Sequence, residues 1–272
     1  LLPAGDGAGG SAARPPRLAA LLDGGAGAVA APVWTTTPWT LPGNEAVCAH
    51  AELEYALCAV GDAEGGDGGG GPAAEAAAAP AHVVVAAARI EELEQALGRR
   101  LAVVERFAGT ALDGLRCAHP LSGRPVPLLL AEHVTDSAGT GLVHTAPGHG
   151  PEDFAVGVSH ALPPSCPVDA EGRFTAAVAE AAPFEGLEVL GEGGRAVLDA
   201  LRARGTLLSA AEHAHRYPYD WRSKTPVIFR ATPQWFCELS ALQPTALASL
   251  DGVRMVPPAG RQRLEAFVGG RA

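Results

Sequence analysis

Residues 34–44 read Trp34-Thr35-Thr36-Thr37-Pro38-Trp39-Thr40-Leu41-Pro42-Gly43-Asn44, and they constrain the interpretation of the whole chain. Four hydroxyl side chains, two indoles and two prolines fall within this stretch. In an extended backbone, Thr35 and Thr37 point to one face and Thr36 points to the other. Pro38 fixes its own φ and directs Thr37 into the β region. The stretch therefore predicts a rigid rim of small hydroxyls at the end of a strand, able to hold a water molecule or a polar ligand.

The composition indicates a globular protein with many turns and few long helices. The chain has 272 residues, of which 47% are hydrophobic, and it contains 34 glycines and 23 prolines. This length allows one large domain or two smaller ones. The formal net charge is −10, so nucleic acid could be held only by a local basic patch. No run of about 18 apolar residues is present, so no membrane span is predicted.

The five cysteines are predicted to be free thiols. They are scattered, odd in number and never form a Cys-x-x-Cys pair. This arrangement argues against a disulfide framework and against a structural zinc site. We therefore expect a reducing compartment, either the cytoplasm of a bacterium or the interior of an organelle such as a mitochondrion or chloroplast, and a protein that is not secreted.

Two tracts of low complexity interrupt the chain. Residues 1–28 are rich in Gly, Ala and Pro without sustained periodicity, and we predict that they are disordered. Residues 61–81 contain seven glycines and eight alanines, and they are predicted to form a flexible loop between strands at 55–60 and 82–88. No Gly-Lys-Ser/Thr follows these glycines, so they are not a phosphate-binding loop.

Ordered elements are predicted on both sides of the second tract. The spacing of Ile90, Leu93 and Leu97, with acidic residues between them, predicts an amphipathic helix ended by Gly98. Many short strands and few helices predict an α+β fold with a β-barrel-like body. The other predicted elements are helices from Pro151 and over 195–204, and strands near 101–107, 127–134, 141–145, 207–210 and 226–231.

A second group of chemically active residues lies at 139–154. A predicted strand carries His144, a Pro/Gly turn with His149 follows, and Asp153 falls in the first turn of the next helix. There Asp153 could form an ion pair with the ammonium group of a ligand, or it could accept hydrogen bonds from the free N–H groups at the start of the helix. The three side chains could also be metal ligands, although their spacing matches no signature known to us.

A basic and aromatic segment follows near residue 220. Its cationic side chains could be an ordinary solvated face, or they could hold a phosphate backbone while the aromatic rings stack on bases. The cationic residues are Arg216, Arg222, Lys224 and Arg230, and the aromatic residues are Tyr217, Tyr219 and Trp221.

Three blocks of the chain, residues 34–44, 139–154 and 215–236, resemble the editing insertion of isoleucyl-tRNA synthetase. The resemblance covers roughly residues 29 to 268. The sequence motif Thr-Thr-Thr-Pro-Trp-Thr distinguishes this chain from the valyl and leucyl relatives, whose comparable segment carries Thr-Thr-Arg-Pro. The sequence motif His-Thr-Ala-Pro-Gly-His-Gly is similar to that of the bacterial or organellar type of this synthetase.

The resemblance implies a domain organisation. Residues 29–212 would be the β-barrel-like editing domain of the valyl, isoleucyl and leucyl type, and residues 213–272 would be a return segment toward a missing catalytic domain. The two ATP-site signatures of the family, His-x-Gly-His and Lys-Met-Ser-Lys-Ser, are absent from the sequence. Ligase activity is therefore not expected from this chain alone.

The resemblance also implies the reaction, which is hydrolysis of valine wrongly esterified to isoleucine tRNA. Asp153 would pair with the aminoacyl ammonium, His144 would exclude isoleucine by size, and Trp34 would contact the substrate. No cofactor and no metal are implied. The residues that would position the terminal ribose and the attacking water are Thr35, Thr36, Thr37, Thr40 and Asn44.

The expected partner is aminoacylated isoleucine tRNA, held by Arg216, Arg222, Lys224 and Arg230. No protein partner is expected beyond the missing synthetase domains. Two alternatives remain open at the level of the sequence. The chain could bind tRNA without catalysis, or it could be a metal-dependent hydrolase that uses His144, His149 and Asp153.

Overall fold

Two four-stranded sheets form the framework of the part of the chain that the computed structural model describes, residues 14–24, 29–63 and 80–270. One sheet has the order β1-β4-β3-β5 and the other the order β6-β7-β2-β8. The strands are β1 (Val29–Ala30), β2 (Ala46–Ala49), β3 (Glu54–Ala63), β4 (His82–Ala86), β5 (Arg99–Ala108), β6 (Arg116–Ala118), β7 (Pro125–Leu130) and β8 (Val143–Thr145). The α-helices are α1 (Pro16–Asp23), α2 (Ile90–Leu97), α3 (Pro151–Ser159), α4 (Gly194–Arg204), α5 (Gln243–Ser249) and α6 (Gly260–Gly269).

The first sheet is built from apolar runs that are buried. Residues 55–58 of β3 and 83–86 of β4 pair antiparallel and are nearly inaccessible to solvent. Continuous burial of this kind explains why these strands read as unbroken apolar runs. The α2 helix packs against β5 and ends at Gly98, whose φ of +61° gives the left-handed conformation that glycine adopts at low cost.

The second sheet brings together residues that are far apart in the sequence. Strand β2 runs parallel to β7 and antiparallel to β8, so that Val47 lies opposite both Leu128 and His144. The Glu45 amide extends the pairing by donating to the Thr145 carbonyl at 2.9 Å. The chain that leaves residues 34–44 is thereby fixed beside the strand that carries His144.

The predicted α+β class is confirmed. Within the described residues the two sheets do not close into a barrel, because each keeps two edge strands, β1 and β5 in one and β6 and β8 in the other. The barrel-like description is therefore corrected to a pair of open sheets.

Residues 16–23 correct the prediction of disorder at the N-terminal end. They form α1, and Leu18 and Leu22 are buried in the main hydrophobic core. The Glu105 carboxylate of β5 accepts hydrogen bonds from the Arg17 and Leu18 amides at 3.0 and 3.1 Å, which satisfies two N–H groups at the helix start. Residues 1–13 and 25–28, and residues 64–79 of the predicted loop 61–81, lie outside the described residues.

The predicted strands at 207–210 and 226–231 are wrong. Outside the named strands these segments contain a single bridge, between Tyr219 and Pro226, and no ladder among the described residues. Just before the first of these segments, the Thr206 hydroxyl donates to the Pro120 carbonyl in the turn after β6. Short runs with apolar residues do not form a sheet without a paired neighbour.

The chain divides into two compact units, residues 1–231 and Thr232–Ala272. This boundary differs from the predicted one at 212, since residues 213–231 belong to the larger unit. The smaller unit contains α5 and α6, and Arg261 of α6 pairs there with Asp251 and Glu265. In the described part of the chain, no helix combines the length and the apolarity needed to cross a bilayer.

Candidate functional site

Two hydroxyls of the predicted rim, those of Thr35 and Thr37, lie close together. The Thr35 and Thr37 hydroxyl oxygens lie 3.3 Å apart, and the Thr37 amide donates to the Thr35 hydroxyl at 3.0 Å. Thr36 between them is half-buried, and the chain bends at this residue. The predicted strand end is wrong here, because residues 31–37 belong to no strand and Pro38–Gly43 form a 3-10 helix. That turn carries Thr40 inward, where it is buried.

His144 is held by two of the predicted site residues. Its Nε2 lies 2.9 Å from the Thr40 hydroxyl, and its Nδ1 lies 2.6 Å from the Asn44 amide nitrogen. The Thr40 hydroxyl donates to the Thr37 carbonyl at 2.9 Å, so it accepts from Nε2–H. The Asn44 amide can only donate to Nδ1, and it also donates to the Ala46 carbonyl. These partners select the Nε2–H tautomer of a neutral imidazole.

Burial keeps His144 neutral. It lowers the pKa of the imidazole to about 3, and the nearby His119 and His149 act in the same direction. At neutral pH the ring is uncharged, and both of its nitrogens are engaged. Its position therefore suits a fixed wall of the site better than a free general base.

Asp153 reaches back from α3 to the end of β8. Its Oδ2 accepts a hydrogen bond from the Ala146 amide at 2.8 Å, two residues beyond His144. Burial raises the pKa of the Asp153 carboxyl above its ordinary value, although the Ala146 amide and the nearby His133 act in the opposite direction. The carboxylate is half-buried and near the positive end of a helix, where a bound ammonium would favour its ionised form.

His149, which was considered with His144 and Asp153 as a possible metal ligand, has other contacts. His149 packs edge to face on Trp39, with ring centroids 5.0 Å apart, and its Nδ1 lies 3.2 Å from the Phe229 carbonyl oxygen. Its buried Nε2 has no hydrogen-bond partner among the described residues. In the same residues, no group of three or more His, Cys, Asp or Glu side chains is placed to hold a metal ion. The metal-dependent alternative therefore lacks its ligand set in this structure.

The three buried cysteines are not suited to nucleophilic attack. All five are free. Burial raises the pKa of Cys48, Cys58 and Cys117 to about 11, so these thiols are protonated at neutral pH. The Cys48 sulfur also accepts a hydrogen bond from the Thr145 hydroxyl at 3.1 Å.

Arg124 supports the site, and no sequence pattern pointed to it. It lies just before β7 and donates to the Asn44 carbonyl at 2.9 Å. The same guanidinium pairs with Glu45 at 3.2 Å and with Glu180 at 3.1 Å. These contacts of Arg124, which we call the Arg124 clamp, fix the backbone of Asn44, whose side-chain amide contacts His144. The clamp joins residues about 80 positions apart in the sequence, and only the β2–β7 pairing brings them together.

The four predicted cationic residues differ in exposure. Arg216, Arg222 and Lys224 are exposed, and the Arg222 guanidinium lies 4.7 Å from the Trp221 ring centroid. Arg230 is half-buried instead and donates to the Val168 carbonyl at 2.9 Å. Three of the four therefore remain available to a phosphate backbone, and one holds the fold.

An open, largely apolar hollow lies beside α3. None of its lining residues was predicted to belong to the site, although Phe154 directly follows Asp153. The lining residues are Pro147, Phe154, Gly157, Val158, Ala161, Leu162, Pro163 and Pro164.

Comparison with known proteins gives strong sequence matches over most of the chain. The isoleucine–tRNA ligase of Nostoc punctiforme is 43% identical over 241 residues, which is 88% of this chain and 24% of that protein. The isoleucine–tRNA ligase of Gloeobacter violaceus is 44% identical over 248 residues, which is 89% of this chain and 24% of that protein. The chain thus spans about a quarter of the length of these relatives. No protein-family model matches it.

The solved structures that this chain matches over part of its length include editing domains of leucyl-tRNA synthetase. The editing domain of the P. falciparum cytosolic enzyme is 12% identical, covers 65% of this chain and 78% of its own, and gives a TM-score of 0.48. A second crystal form is 13% identical, covers 67% and 80%, and gives 0.49. Scores at this level carry no argument of their own, and the relationship rests on the sequence.

The sequence matches define the class first: the chain is related to the aminoacyl-tRNA synthetases. Within that class it is a homologue of the isoleucine–tRNA ligases, and it corresponds to a segment about a quarter of their length.

Proposed function

We propose that this chain is an editing hydrolase of aminoacyl-tRNA, which releases valine wrongly esterified to isoleucine tRNA. One observation carries the proposal. Thr37, Thr40, Asn44 and His144 form a continuous hydrogen-bonded group, and Asp153 is tied to the end of the same strand β8. The relationship to isoleucine–tRNA ligases along 88% of the chain supports this assignment.

Asp153 would select an amino acid over other esters. Its carboxylate would pair with the α-ammonium of the bound aminoacyl group, which is a charge-assisted contact in a partly desolvated place. Because the other carboxylate oxygen, Oδ2, already accepts from the Ala146 amide, the side chain is pre-oriented. The ammonium would in turn offset the effect of burial on the pKa of Asp153.

His144 would provide size selection. The ring is fixed at both nitrogens, so it cannot swing away when a longer side chain presses on it. A hydrophobic pocket extracts only about 1–3 kcal/mol from one methylene, a figure for which isoleucyl-tRNA synthetase itself is a standard example. Exclusion by a rigid wall adds a repulsive term against isoleucine.

Water is the proposed nucleophile. Its oxygen would attack the ester carbonyl carbon, the bond from that carbon to the ribose oxygen would break, and the ribose oxygen would take up a proton. Free valine and tRNA would result. The hydroxyls of Thr35, Thr36 and Thr37 would orient the water and the terminal ribose, so that most of the rate would come from positioning and from hydrogen bonds to the developing oxyanion.

The test is a deacylation assay with the purified 272-residue chain and isoleucine tRNA charged with labelled valine. We expect release of valine above the spontaneous rate, unaffected by a chelator. Retardation of the tRNA on a gel without release of valine would instead identify a binding module. Loss of release on chelation would identify the metal-dependent hydrolase.

A further inference from the structure

A row of aromatic rings runs from the hydroxyl rim along the larger unit, and we name it the aromatic ladder: Trp34, His213, His215 and Tyr217. Trp34 meets His213 edge to face, with ring centroids 5.1 Å apart. His213 and His215 are stacked at 5.9 Å with an interplanar angle of 19°. His215 meets Tyr217 edge to face at 5.9 Å. The row is continuous, and it begins at the residue that precedes Thr35.

The first ring is anchored at the site. Gly139, at φ +70°, lies against Trp34, and a β-carbon on this glycine would come within 3.5 Å of the Trp34 Cβ. Gly139 belongs to the turn that leads into β8 and His144. Trp34 nevertheless remains 49% exposed. The ladder therefore starts beside the site and keeps an open surface there.

The remaining rings are accessible to a ligand. His213 and His215 are exposed and Tyr217 is half-buried. Alternate residues of an extended segment share one side, which accounts for three rings in one row. An edge-to-face contact uses only one face of one ring, so other faces stay free for stacking.

The charge near the ladder fits an RNA ligand. Arg216 lies within the ladder segment, and Arg222 and Lys224 follow it, all exposed. Residues 213–224 thus hold three cationic side chains and one acidic one, Asp220, whereas the chain as a whole carries a formal net charge of −10. Exposed aromatic rings beside cationic side chains are the combination that holds single-stranded nucleic acid.

We propose that the aromatic ladder is a stacking track for the unpaired bases at the 3′ end of the tRNA, leading its terminal ester to the hydroxyl rim. The inference rests on the proposed function for the identity of the RNA. The stacking itself does not require hydrolysis and can be measured without it.

The experiment uses uncharged RNA. A labelled hairpin with a short single-stranded 3′ tail ending in C-C-A is titrated with the full chain, and fluorescence anisotropy gives the dissociation constant. The same hairpin with a blunt end is the reference ligand. The variants are Trp34→Leu, His213→Ala and His215→Ala, and the matched controls are Trp235→Ala and His160→Ala, which remove an exposed indole and an exposed imidazole outside the ladder.

We expect each ladder variant to bind the tailed hairpin roughly tenfold more weakly, because one base–aromatic stack is lost. The ladder variants should bind the blunt hairpin as the wild type does. Both control variants should bind the tailed hairpin with the affinity of the wild type. Arg216→Gln should weaken the binding of both hairpins alike, because loss of a phosphate contact does not depend on the tail. Equal affinity of wild type and ladder variants for the tailed hairpin, or no preference of the wild type for the tail, would overturn the ladder.

The two proposals fail separately. Ladder-dependent binding by a chain that releases no valine would leave the ladder in place and remove the hydrolase. Release of valine with unchanged Michaelis constants in all three ladder variants would support the hydrolase and overturn the ladder.

Discussion

The hydrogen-bond pattern around His144 defines the site at the scale of single residues. Thr40 accepts from Nε2–H and Asn44 donates to Nδ1, so the neighbours rather than a ligand choose the tautomer. Burial, which lowers the pKa of His144 to about 3, removes its charge. The ring is thus a fixed neutral surface, and the titratable group of the site is Asp153.

Asp153→Ala should lower valine release by roughly 100-fold or more, because the substrate ammonium would lose its buried partner. Asp153→Asn should be similarly impaired, since the amide keeps the shape and loses the charge. Glu152→Gln is the matched control, as it removes an exposed carboxylate from the same helix turn. Unchanged turnover in Asp153→Ala would remove this residue from the mechanism.

The same carboxylate predicts a pH dependence of hydrolysis. Because burial raises the pKa of Asp153, its ionised form should be lost at a higher pH than for an exposed aspartate. We expect valine release at subsaturating substrate to fall on the acid side with an apparent pKa above that of an ordinary aspartate. A profile that stays flat down to the ordinary range would contradict the assignment.

His144→Ala should begin to hydrolyse isoleucyl-tRNA, since the wall against the longer side chain is gone. The variant also leaves Thr40 and Asn44 without their buried partner, and we expect a loss of about 1–3 kcal/mol in the free energy of unfolding. His144→Gln, which keeps bulk and hydrogen bonding, should retain more discrimination. The measurement is release of labelled isoleucine, with folding checked by circular dichroism. Continued sparing of isoleucyl-tRNA by a folded His144→Ala would defeat the steric role.

At the scale of elements, the pairing of β2 with β8 creates the site. It places Val47 opposite His144, and Asn44 therefore meets a histidine 100 positions away in the sequence. The α3 helix is packed closely against the turn after β8. A β-carbon on Gly148 would lie 2.3 Å from the Ser165 carbonyl oxygen, and one on Gly157 would lie 2.9 Å from Pro147.

Gly148→Ala should therefore shift the turn that connects His144 to Asp153. We expect a cost of about 1–3 kcal/mol in the free energy of unfolding and a clear loss of valine release, because the added methyl meets backbone rather than a movable side chain. Gly252→Ala is the matched control, since that position has open space. The measurements are denaturant unfolding and the deacylation rate. A Gly148→Ala chain with wild-type stability would contradict this packing.

Elements with local signals could be predicted from the sequence. The α2 helix occupies Ile90–Leu97 as predicted, because its apolar spacing and Gly98 are both local features. The α1 helix was missed, because its two buried leucines stand in a Gly/Ala/Pro-rich tract and find their partners only in the folded core. The strand predicted at 226–231 failed for the opposite reason, since an apolar run without a paired neighbour is not a strand.

The site residues divide in the same way. The hydroxyls of Thr35 and Thr37 lie together, but the cause is a local turn in which the Thr37 amide donates to the Thr35 hydroxyl, and not the alternation of an extended strand. The 3-10 turn at Pro38–Gly43, which aims Thr40 at His144, was not predicted. The Arg124 clamp could not be predicted, because its contacts to Asn44 and Glu180 depend entirely on tertiary structure.

At the scale of the whole molecule, buried neutral histidines couple stability to pH. Burial lowers the pKa of His119 to about 4 and of His144 to about 3, from an ordinary value near 6.5. Below pH 6.5 the unfolded chain binds protons at these positions and the folded chain does not. The stabilisation is therefore complete above pH 6.5 and is lost as the pH falls toward the folded pKa values.

We expect each of these two histidines to cost about 2 kcal/mol of unfolding free energy between pH 7 and pH 5. Denaturant unfolding at the two pH values measures the total, and His144→Gln isolates one contribution. That variant should show a pH-dependent loss smaller by about 2 kcal/mol than the wild type. The same loss in both proteins would show that His144 is not buried and neutral in solution.

The central claim is that the chain hydrolyses the wrong ester and spares the right one. The direct measurement compares two rates for the unmodified chain: release of valine from valine-charged isoleucine tRNA, and release of isoleucine from the correctly charged tRNA. We predict that valine is released at least about tenfold faster than isoleucine. Equal rates for the two esters, or no release of valine above the spontaneous rate, would contradict the account.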